Sequence, residues 1–221
     1  TLVPGDIYNC FGTLKFPFNG VNAFEVGNRI GNTNLKPEIS TEFEFGGDFK
    51  LLSNKVGVSV SFYDKRTDGQ IFAVPVASTS GYTGQTANVG LVQNKGIELL
   101  VNITPIQTAD FRWDIGINYT KNNNKILELP EQLEGVVLFS NYNVDFKLSE
   151  GRPIGDLYTF DYVRDPLGRT VVNANGLPIG STNKTLVGNV NPNFIAGLNT
   201  SLTYKSFTLS GTLDYRDGGK F

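Results

Sequence analysis

Hydrophobic and polar residues alternate with a period of two along the stretch that follows Pro37. From Phe43 to Leu51 the odd positions are phenylalanine, glycine or leucine, while the even positions carry glutamate, glycine, aspartate and lysine. From 56 to 63 valine and phenylalanine alternate with glycine, serine and tyrosine. Such alternation places one set of side chains on each face of a strand. The short join contains Ser53-Asn54, so we predict a β-hairpin near residues 39–66.

Two later stretches repeat this pattern. One hairpin is predicted near 94–121, with a short join at Pro105–Asp110, and another near 193–216, with a turn at Lys205-Ser206. In each arm one face is apolar and the other is polar. Three two-faced hairpins predict an all-β chain of about six long strands.

The segments between the hairpins are long and rich in glycine, asparagine and proline. We predict outer loops at 1–38, 67–93 and 122–192, with short strands at Ile71–Val76 and Leu157–Arg164 and an otherwise irregular stretch from Lys121 to Asn191. Short turns at one strand end and long loops at the other are typical of outer-membrane barrels, whose periplasmic turns are short and extracellular loops long.

The pattern therefore favours an antiparallel transmembrane β-barrel sector with long extracellular loops. Arms of about 10–12 residues match tilted strands that cross a bilayer, but a closed barrel needs at least about eight strands. The chain is thus expected to be one sector of a larger barrel. The alternative is a soluble β-sandwich with the apolar face as its core, and the length of the loops argues against it.

The barrel interpretation assigns a direction to each face. One set of side chains is expected to contact lipid: Val58, Val60, Leu99, Val101, Ile115, Ile117 and Leu198. Another set is expected to point inward: Glu44, Ser59, Glu98, Asp114 and Asn118.

Composition removes several classes of function. The 221 residues contain no histidine and one cysteine, Cys10, which excludes histidine-dependent catalysis and a disulfide framework within the chain. The net charge of −2 and the lack of a basic stripe argue against nucleic acid as a partner. No apolar run is long enough for a transmembrane helix. No metal site, cofactor or catalytic residue is predicted.

Two groups of polar residues were weighed against these exclusions. Glu42, Glu44, Asp48 and Glu98 could suggest the acid pair of a glycoside hydrolase, but a polar barrel interior explains them better. Calcium could be suggested by Asp161, Asp165 and Asn173, yet their spacing does not match a loop with ligands at alternate positions.

The substrate-binding candidates are aromatic residues of the predicted outer loops. Tyrosine rings there could stack on sugars or peptides, and the four candidates are Tyr82, Tyr142, Tyr158 and Tyr162. Phe139 and Phe160 lie in the same segments. The alternative is that these rings pack the loops against one another or against a lid protein.

Five sequence fragments, in order, resemble one known family. They are Asn34-Leu35-Lys36-Pro37-Glu38, Phe62-Tyr63-Asp64-Lys65-Arg66-Thr67-Asp68, Asn88-Val89-Gly90, Asn94-Lys95-Gly96-Ile97-Glu98-Leu99 and Asp214-Tyr215-Arg216-Asp217-Gly218-Gly219. Together they resemble the C-terminal barrel portion of SusC/RagA-type TonB-dependent outer-membrane transporters.

The resemblance implies a barrel of about 22 strands in the outer membrane of a Gram-negative bacterium. It implies import of glycans or peptides, energy from the TonB complex, a SusD-like surface lipoprotein as lid, and contact with membrane lipid and lipopolysaccharide. The plug domain, TonB box and signal peptide that it implies have no counterpart in these residues, and the chain contains no methionine. We therefore expect a piece of a longer protein. The alternative function is a non-transporting surface protein that binds a partner.

Overall fold

A computed structural model describes residues 11–13, 20–21 and 24–220. Two short 3₁₀ turns occur in these residues, at Ser78–Ser80 and Glu131–Leu133, and no helix there is long and apolar enough to cross a membrane. The strands are β1 (Phe11–Thr13), β2 (Phe24–Val26), β3 (Arg29–Ile30), β4 (Ile39–Leu51), β5 (Val56–Asp68), β6 (Ile71–Pro75), β7 (Gly84–Asn88), β8 (Leu91–Gln107), β9 (Phe111–Glu128), β10 (Val137–Asn141), β11 (Val144–Lys147), β12 (Asp156–Tyr162), β13 (Gly180–Asn189), β14 (Pro192–Tyr204) and β15 (Phe207–Gly218).

The three predicted hairpins are present. They are formed by β4 and β5, by β8 and β9, and by β14 and β15, and they join in one six-stranded sheet of order β15-β14-β9-β8-β5-β4. The turns are tight because residues enter the left-handed region, with φ of 55° at Ser53, 67° at Asn54 and 52° at Lys205. Positive φ suits the right-handed twist that the hairpin strands require.

The register of the sheet aligns apolar with apolar residues. Leu198 of β14 lies opposite Leu213 of β15 and opposite Ile117 of β9. Asn199 lies between Thr212 and Gly116 in the same way. A shift of one residue in the pairing of a strand would move every one of its side chains to the opposite face. This alignment therefore fixes an apolar and a polar face across all three strands.

Contacts divide the chain into two compact units. Within the described residues, the sheet unit comprises 41–66, 93–125 and 188–220, and the excursion unit comprises 67–92, 126–187 and the described residues up to 40. The excursion unit has its own small core of Val74, Val89, Val92, Ile126 and Leu148.

The prediction of an irregular stretch from Lys121 to Asn191 is wrong. Strands β10 to β13 form a four-stranded sheet in sequence order, and β9 continues to Glu128. These strands lack clean alternation, and β13 reads GSTNKTLVGN. Backbone pairing rather than an apolar stripe defines them, so periodicity could not reveal them.

Both short strands predicted inside the excursions are present with shifted ends, as β6 and β12. Strand β6 lies at one edge of a three-stranded sheet of order β3-β7-β6 and ends in Pro75. An edge strand tolerates proline because the missing N–H breaks no central ladder. Within the predicted loop at 1–38, residues 1–10, which include Cys10, and residues 14–19 and 22–23 lie outside the described residues.

Two of the family-like fragments meet in the excursion unit. The Asn88 side chain accepts a hydrogen bond from Lys36 N–H at 2.9 Å and donates to Lys36 C=O at 2.9 Å and to Gly69 C=O at 2.7 Å. The Glu38 carboxylate accepts from the N–H of Ile71 at 2.6 Å. Polar residues of these fragments thus satisfy backbone groups where one strand ends and the next begins.

Candidate functional site

The sheet unit exposes a continuous apolar face. Alternate residues of each strand share a face, so the β9–β14–β15 register gathers Ile115, Ile117, Leu198, Leu202, Leu209 and Leu213 on one side. None of the seven side chains predicted to contact lipid is buried, and Ile117 and Leu198 are 37% and 39% exposed. Among the described residues, the sheet unit contains only the six-stranded sheet, so it supplies no second layer that would bury these side chains in a sandwich core.

Aromatic side chains mark both ends of this face. Near the short turns, the Trp113 indole N–H donates to the Thr200 hydroxyl at 2.9 Å. Near the opposite ends, the Phe194 ring lies 5.3 Å from Tyr119 and 5.8 Å from Tyr215, measured between centroids. Aromatic belts of this kind occur at the two interfaces of a membrane.

The opposite face of the sheet is polar and internally hydrogen-bonded. Asp114 accepts from Arg112 Nε at 2.6 Å and from the Thr104 hydroxyl at 2.7 Å. Further along, Asn94 Oδ1 accepts from Asn122 at 3.2 Å and from Asn124 at 2.9 Å. A wide groove of about 760 Å³ runs along this face, and its lining combines polar residues such as Asn102 and Ser201 with apolar ones such as Leu100.

Two of the acids named as candidates for a hydrolytic pair have partners on this polar face. Glu44 accepts a hydrogen bond from the Ser61 hydroxyl, and Glu42 Oε2 lies 3.8 Å from Lys65 Nζ. These contacts link β4 to β5 across the polar face, as expected for side chains of a polar barrel interior.

Three of the four candidate tyrosines belong to the β10–β13 sheet. Tyr142 occupies the β10–β11 turn with φ of 47° and is 91% exposed, and Tyr162 at the end of β12 is 52% exposed. Tyr158 lies on β12 opposite Asp145, with Lys147 Nζ 5.3 Å from its ring centroid. Tyr82 lies elsewhere, just before β7. Of the candidate tyrosines in this sheet, two therefore have exposed rings and one has its ring against a cation.

A partly buried ion pair links two strands of this sheet. Asp145 of β11 accepts from Lys184 Nζ of β13 at 2.6 Å and from the Ser140 hydroxyl at 2.7 Å. The hydrogen bond from Lys184, aided by Ser140, lowers the pKa of the Asp145 carboxyl below its ordinary value. Lys184 Nζ also lies 5.6 Å from the Phe160 ring centroid.

Two of the three candidate calcium ligands, Asp165 and Asn173, belong to an eight-residue repeat that sequence reasoning missed. Asp165 Oδ1 accepts from the N–H groups of Leu167 and Arg169, both at 2.9 Å. Asn173 Oδ1 accepts from Asn175 and Leu177 at 2.9 and 3.0 Å. The signal was present as aspartate or asparagine followed three residues later by glycine, at Gly168 and Gly176.

Hydrogen bonds between backbone groups close this repeat into a ring. Val171 N–H donates to Val163 C=O, Ile179 N–H to Val171 C=O, and Val163 N–H to Ile179 C=O, at 2.8, 3.0 and 2.8 Å. Asp161 lies beside the repeat, and its Oδ2 is 3.5 Å from Arg164 Nε. Across the described residues, no group of three or more acidic, cysteine or histidine side chains is placed to hold a metal ion.

The two-faced sheet can now be compared with known proteins. Residues 5–221 match the family described as TonB dependent receptor-like, beta-barrel. This chain belongs to that family. The predicted fold class, an antiparallel transmembrane β-barrel sector, is thereby confirmed, and the family is one of receptors rather than enzymes.

Relatives confirm the resemblance to the SusC/RagA-type branch of TonB-dependent receptors. TonB-dependent receptor P3 of Formosa agariphila is 28% identical over 86% of this chain, and TonB-dependent receptor SusC of Bacteroides thetaiotaomicron is 27% identical over 90%. The chain covers only 21% of either relative.

Solved structures show the same fold. The RagAB peptide transporter superposes with a TM-score of 0.75 at 20% identity, over 96% of this chain and 24% of that one. The closed-closed state of the RagAB peptide importer gives a TM-score of 0.74, also at 20% identity, over 97% of this chain and 25% of that one. The chain thus spans about a quarter of these neighbours.

Proposed function

We propose that this chain forms part of the barrel wall and outer surface of an active importer in the outer membrane of a Gram-negative bacterium. The observation that carries the proposal is the two-faced six-stranded sheet, since an exposed apolar face suits lipid and a hydrogen-bonded polar face suits a barrel interior. Membership of the TonB-dependent receptor family supports import powered by the TonB complex through parts of the protein that precede these residues.

The proposed topology follows from loop lengths. The short turns at Ser53-Asn54, Pro105–Asp110 and Lys205-Ser206 face the periplasm, and 67–92 and 121–191 lie outside. An epitope tag inserted after Asn175, in an exposed turn, tests this in the full-length protein. The tag should be labelled on intact cells, whereas labelling only after permeabilisation would reverse the topology.

The proposed cargo is an oligosaccharide or a peptide, held in part by the exposed rings of Tyr142 and Tyr162 and covered by a SusD-like lipoprotein. RagAB is a peptide transporter, and SusC is named as a TonB-dependent receptor. Aromatic rings serve either cargo, because sugars stack on ring faces and peptide side chains pack against them.

Deleting the full-length gene in its host and measuring uptake of labelled oligosaccharide and peptide pools tests this function. Uptake of one pool should fall, and wild-type protein but not the Tyr142→Ala/Tyr162→Ala variant should restore it fully. Tyr204→Ala at the short-turn end is the matched control. Unchanged uptake of both pools in the deletion strain would reject import and favour a surface-binding role.

A further inference from the structure

Asparagine side chains gather on the polar face of the sheet unit, where three strands meet. Asn199 of β14 lies between Gly116 of β9 and Thr212 of β15 in the strand register. A Cβ built at Gly116 would lie 3.4 Å from Asn102 Oδ1 and 3.8 Å from Asn199 Cβ, so both asparagines border the same glycine. With Asn118, two residues after Gly116 on the same face, they form what we call the amide row.

Asn118 rests on a second glycine. Its register partner in β14 is Gly197, and a Cβ built there would lie 3.0 Å from both the Cγ and the Nδ2 of Asn118. Gly197 is buried and Asn118 is half-buried, whereas Asn102 and Asn199 are exposed. Because glycine permits this close approach, the Asn118 amide lies against the sheet instead of projecting from it.

The groove on the polar face runs along these amides. Asn102 and Asn199 line it together with Ser201, Ser210 and Thr212. The Thr212 hydroxyl donates to Asn199 Oδ1 at 2.9 Å, a contact that uses none of the N–H donors of Asn199. An amide presents two donors and an acceptor, and a hydroxyl presents one donor and two lone pairs. These five residues therefore offer donors and acceptors side by side without any charge.

Charged residues of the polar face surround the amide row. At the short-turn end Lys50, Lys55 and Arg112 line the groove with Asp114, and Asp48 shares their face, so cations predominate. Acids predominate toward the opposite strand ends. By strand alternation the inward charged residues there are Glu42, Glu44, Lys65, Glu98, Asp214 and Arg216. The sign of the net charge thus reverses from one end of the face to the other.

This reversal of charge disfavours the passage of a charged chain. A cargo of either sign is attracted at one end of the face and repelled at the other. Conduction requires sites that are favourable enough to enter and weak enough to leave, and an attractive charged end retains an ion of opposite sign. An uncharged chain exchanges hydrogen bonds with water for hydrogen bonds with the amides, at a small net change in free energy.

We propose that the amide row makes this stretch of the import path selective for uncharged cargo, whose hydroxyl groups hydrogen-bond in succession to Asn102, Asn118 and Asn199. Neutral oligosaccharides fit this chemistry, because neighbouring hydroxyls are donors and acceptors at once. A peptide with free ends carries a charged amine and a charged carboxylate. The inference rests on the proposed function, and it adds a determinant of cargo selection on the barrel wall to the tyrosines of the outer loops.

Uptake by the full-length protein in the deletion strain tests the proposal. The probes are a labelled pool of neutral oligosaccharides, the same pool carrying carboxylates or amines, and neutral peptides with both ends capped. The test variant is Asn102→Leu/Asn118→Leu/Asn199→Leu, which keeps the side-chain size and removes the hydrogen-bonding groups. A second variant with glutamine at the same three positions keeps the amides. The control, Asn123→Leu/Asn175→Leu/Asn183→Leu, changes three asparagines outside the amide row.

The wild type should take up the neutral pool roughly fivefold faster than either charged pool at low concentration. The leucine variant should take up the neutral pool about 30-fold more slowly, at about threefold for each lost hydrogen bond. The glutamine variant should retain most of the wild-type rate, and the control all of it. Equal uptake of neutral and charged pools, equal loss in the leucine variant and the control, or faster uptake of the capped peptides would each overturn the proposal.

Two comparisons separate this proposal from its premises. Heat-dependent mobility on a denaturing gel shows whether each variant folds, and the wild-type preference for the neutral pool and the glutamine variant decide the matter if the leucine variant does not. Loss of the gene that changes the uptake of none of the pools rejects import itself. Uptake that depends on the gene but is the same in the leucine variant and the control rejects only the amide row.

Discussion

The side chain of Asn88 holds both backbone groups of Lys36, with the N–H and the C=O each bonded at 2.9 Å. These residues are 52 positions apart, so the contact fastens the segment before β4 to the end of β7.

Asn88→Ala should free three backbone groups and weaken this junction by about 1–3 kcal/mol, the usual range for a lost hydrogen-bond partner. Asn88→Asp should weaken the junction at least as much, because an acceptor-only carboxylate oxygen then replaces the amide NH₂ and faces the carbonyl oxygens of Lys36 and Gly69. The stability of this junction is measured by hydrogen exchange of the backbone amides of residues 34–38 and 69–71, and Asn175→Ala is the control. Equal protection in all three variants would contradict the assignment.

Val101 and Asn102 are adjacent in β8 and lie on opposite faces of the sheet. Val101→Arg should lower the free energy of unfolding in lipid vesicles by about 2–4 kcal/mol if it lies at the bilayer midplane, and Asn102→Arg by much less. Denaturant titration of both refolded full-length variants makes the comparison. Equal stabilities would argue against lipid contact by the apolar face.

Gly96 of β8 leaves room for the ring of Tyr63 on β5, since a Cβ built at Gly96 would overlap that ring. Gly96→Ala should therefore lower the free energy of unfolding by about 1–3 kcal/mol through overpacking. Gly57→Ala is the matched control, because its Cβ would meet nothing closer than 4.0 Å. Adding Tyr63→Ser to Gly96→Ala should restore most of the loss, and a double variant no more stable than Gly96→Ala would refute the packing argument.

The Asp145–Lys184 pair makes the β10–β13 sheet sensitive to acid. A carboxyl whose pKa is lowered by folding adds stability above its unfolded pKa, and that stability is lost as pH falls through the folded pKa. Hydrogen exchange of β11 and β13 in the wild type should therefore accelerate as pH falls below the ordinary aspartate range, after correction for intrinsic rates. Asp145→Asn should be less protected at neutral pH and lack this acid-dependent change. The same acid dependence in Asp145→Asn would assign it to another group.

Strands β4 and β15 end the six-stranded sheet, so in the described residues each has a strand neighbour on one side only. Unpaired backbone groups cost several kcal/mol each in hydrocarbon. The 221-residue chain expressed by itself should therefore aggregate in detergent, as size-exclusion chromatography with light scattering would show. A monodisperse monomer that melts cooperatively in plain buffer would contradict the barrel-sector interpretation.

The local residue pattern is sufficient to predict the three hairpins and their two faces. Alternation such as Val58-Ser59-Val60-Ser61 is a local property, and strand geometry converts it directly into an apolar and a polar face. Turn residues with positive φ at Ser53 and Asn54 likewise act over a few positions. The strand ends do not follow from alternation, because β8 begins at Leu91 and β9 ends at Glu128, outside the alternating segments.

Contacts between distant parts of the chain are visible only in the folded protein. The pairing of β14 with β9, the hydrogen bond from Trp113 to Thr200 and the Lys184–Asp145 contact link residues separated by 39 to 93 positions. The sheet of β10–β13 depends on such pairings too. Backbone hydrogen bonds between strands are nearly independent of side-chain identity, so a sequence pattern specifies which face a residue takes but not which strand lies beside it.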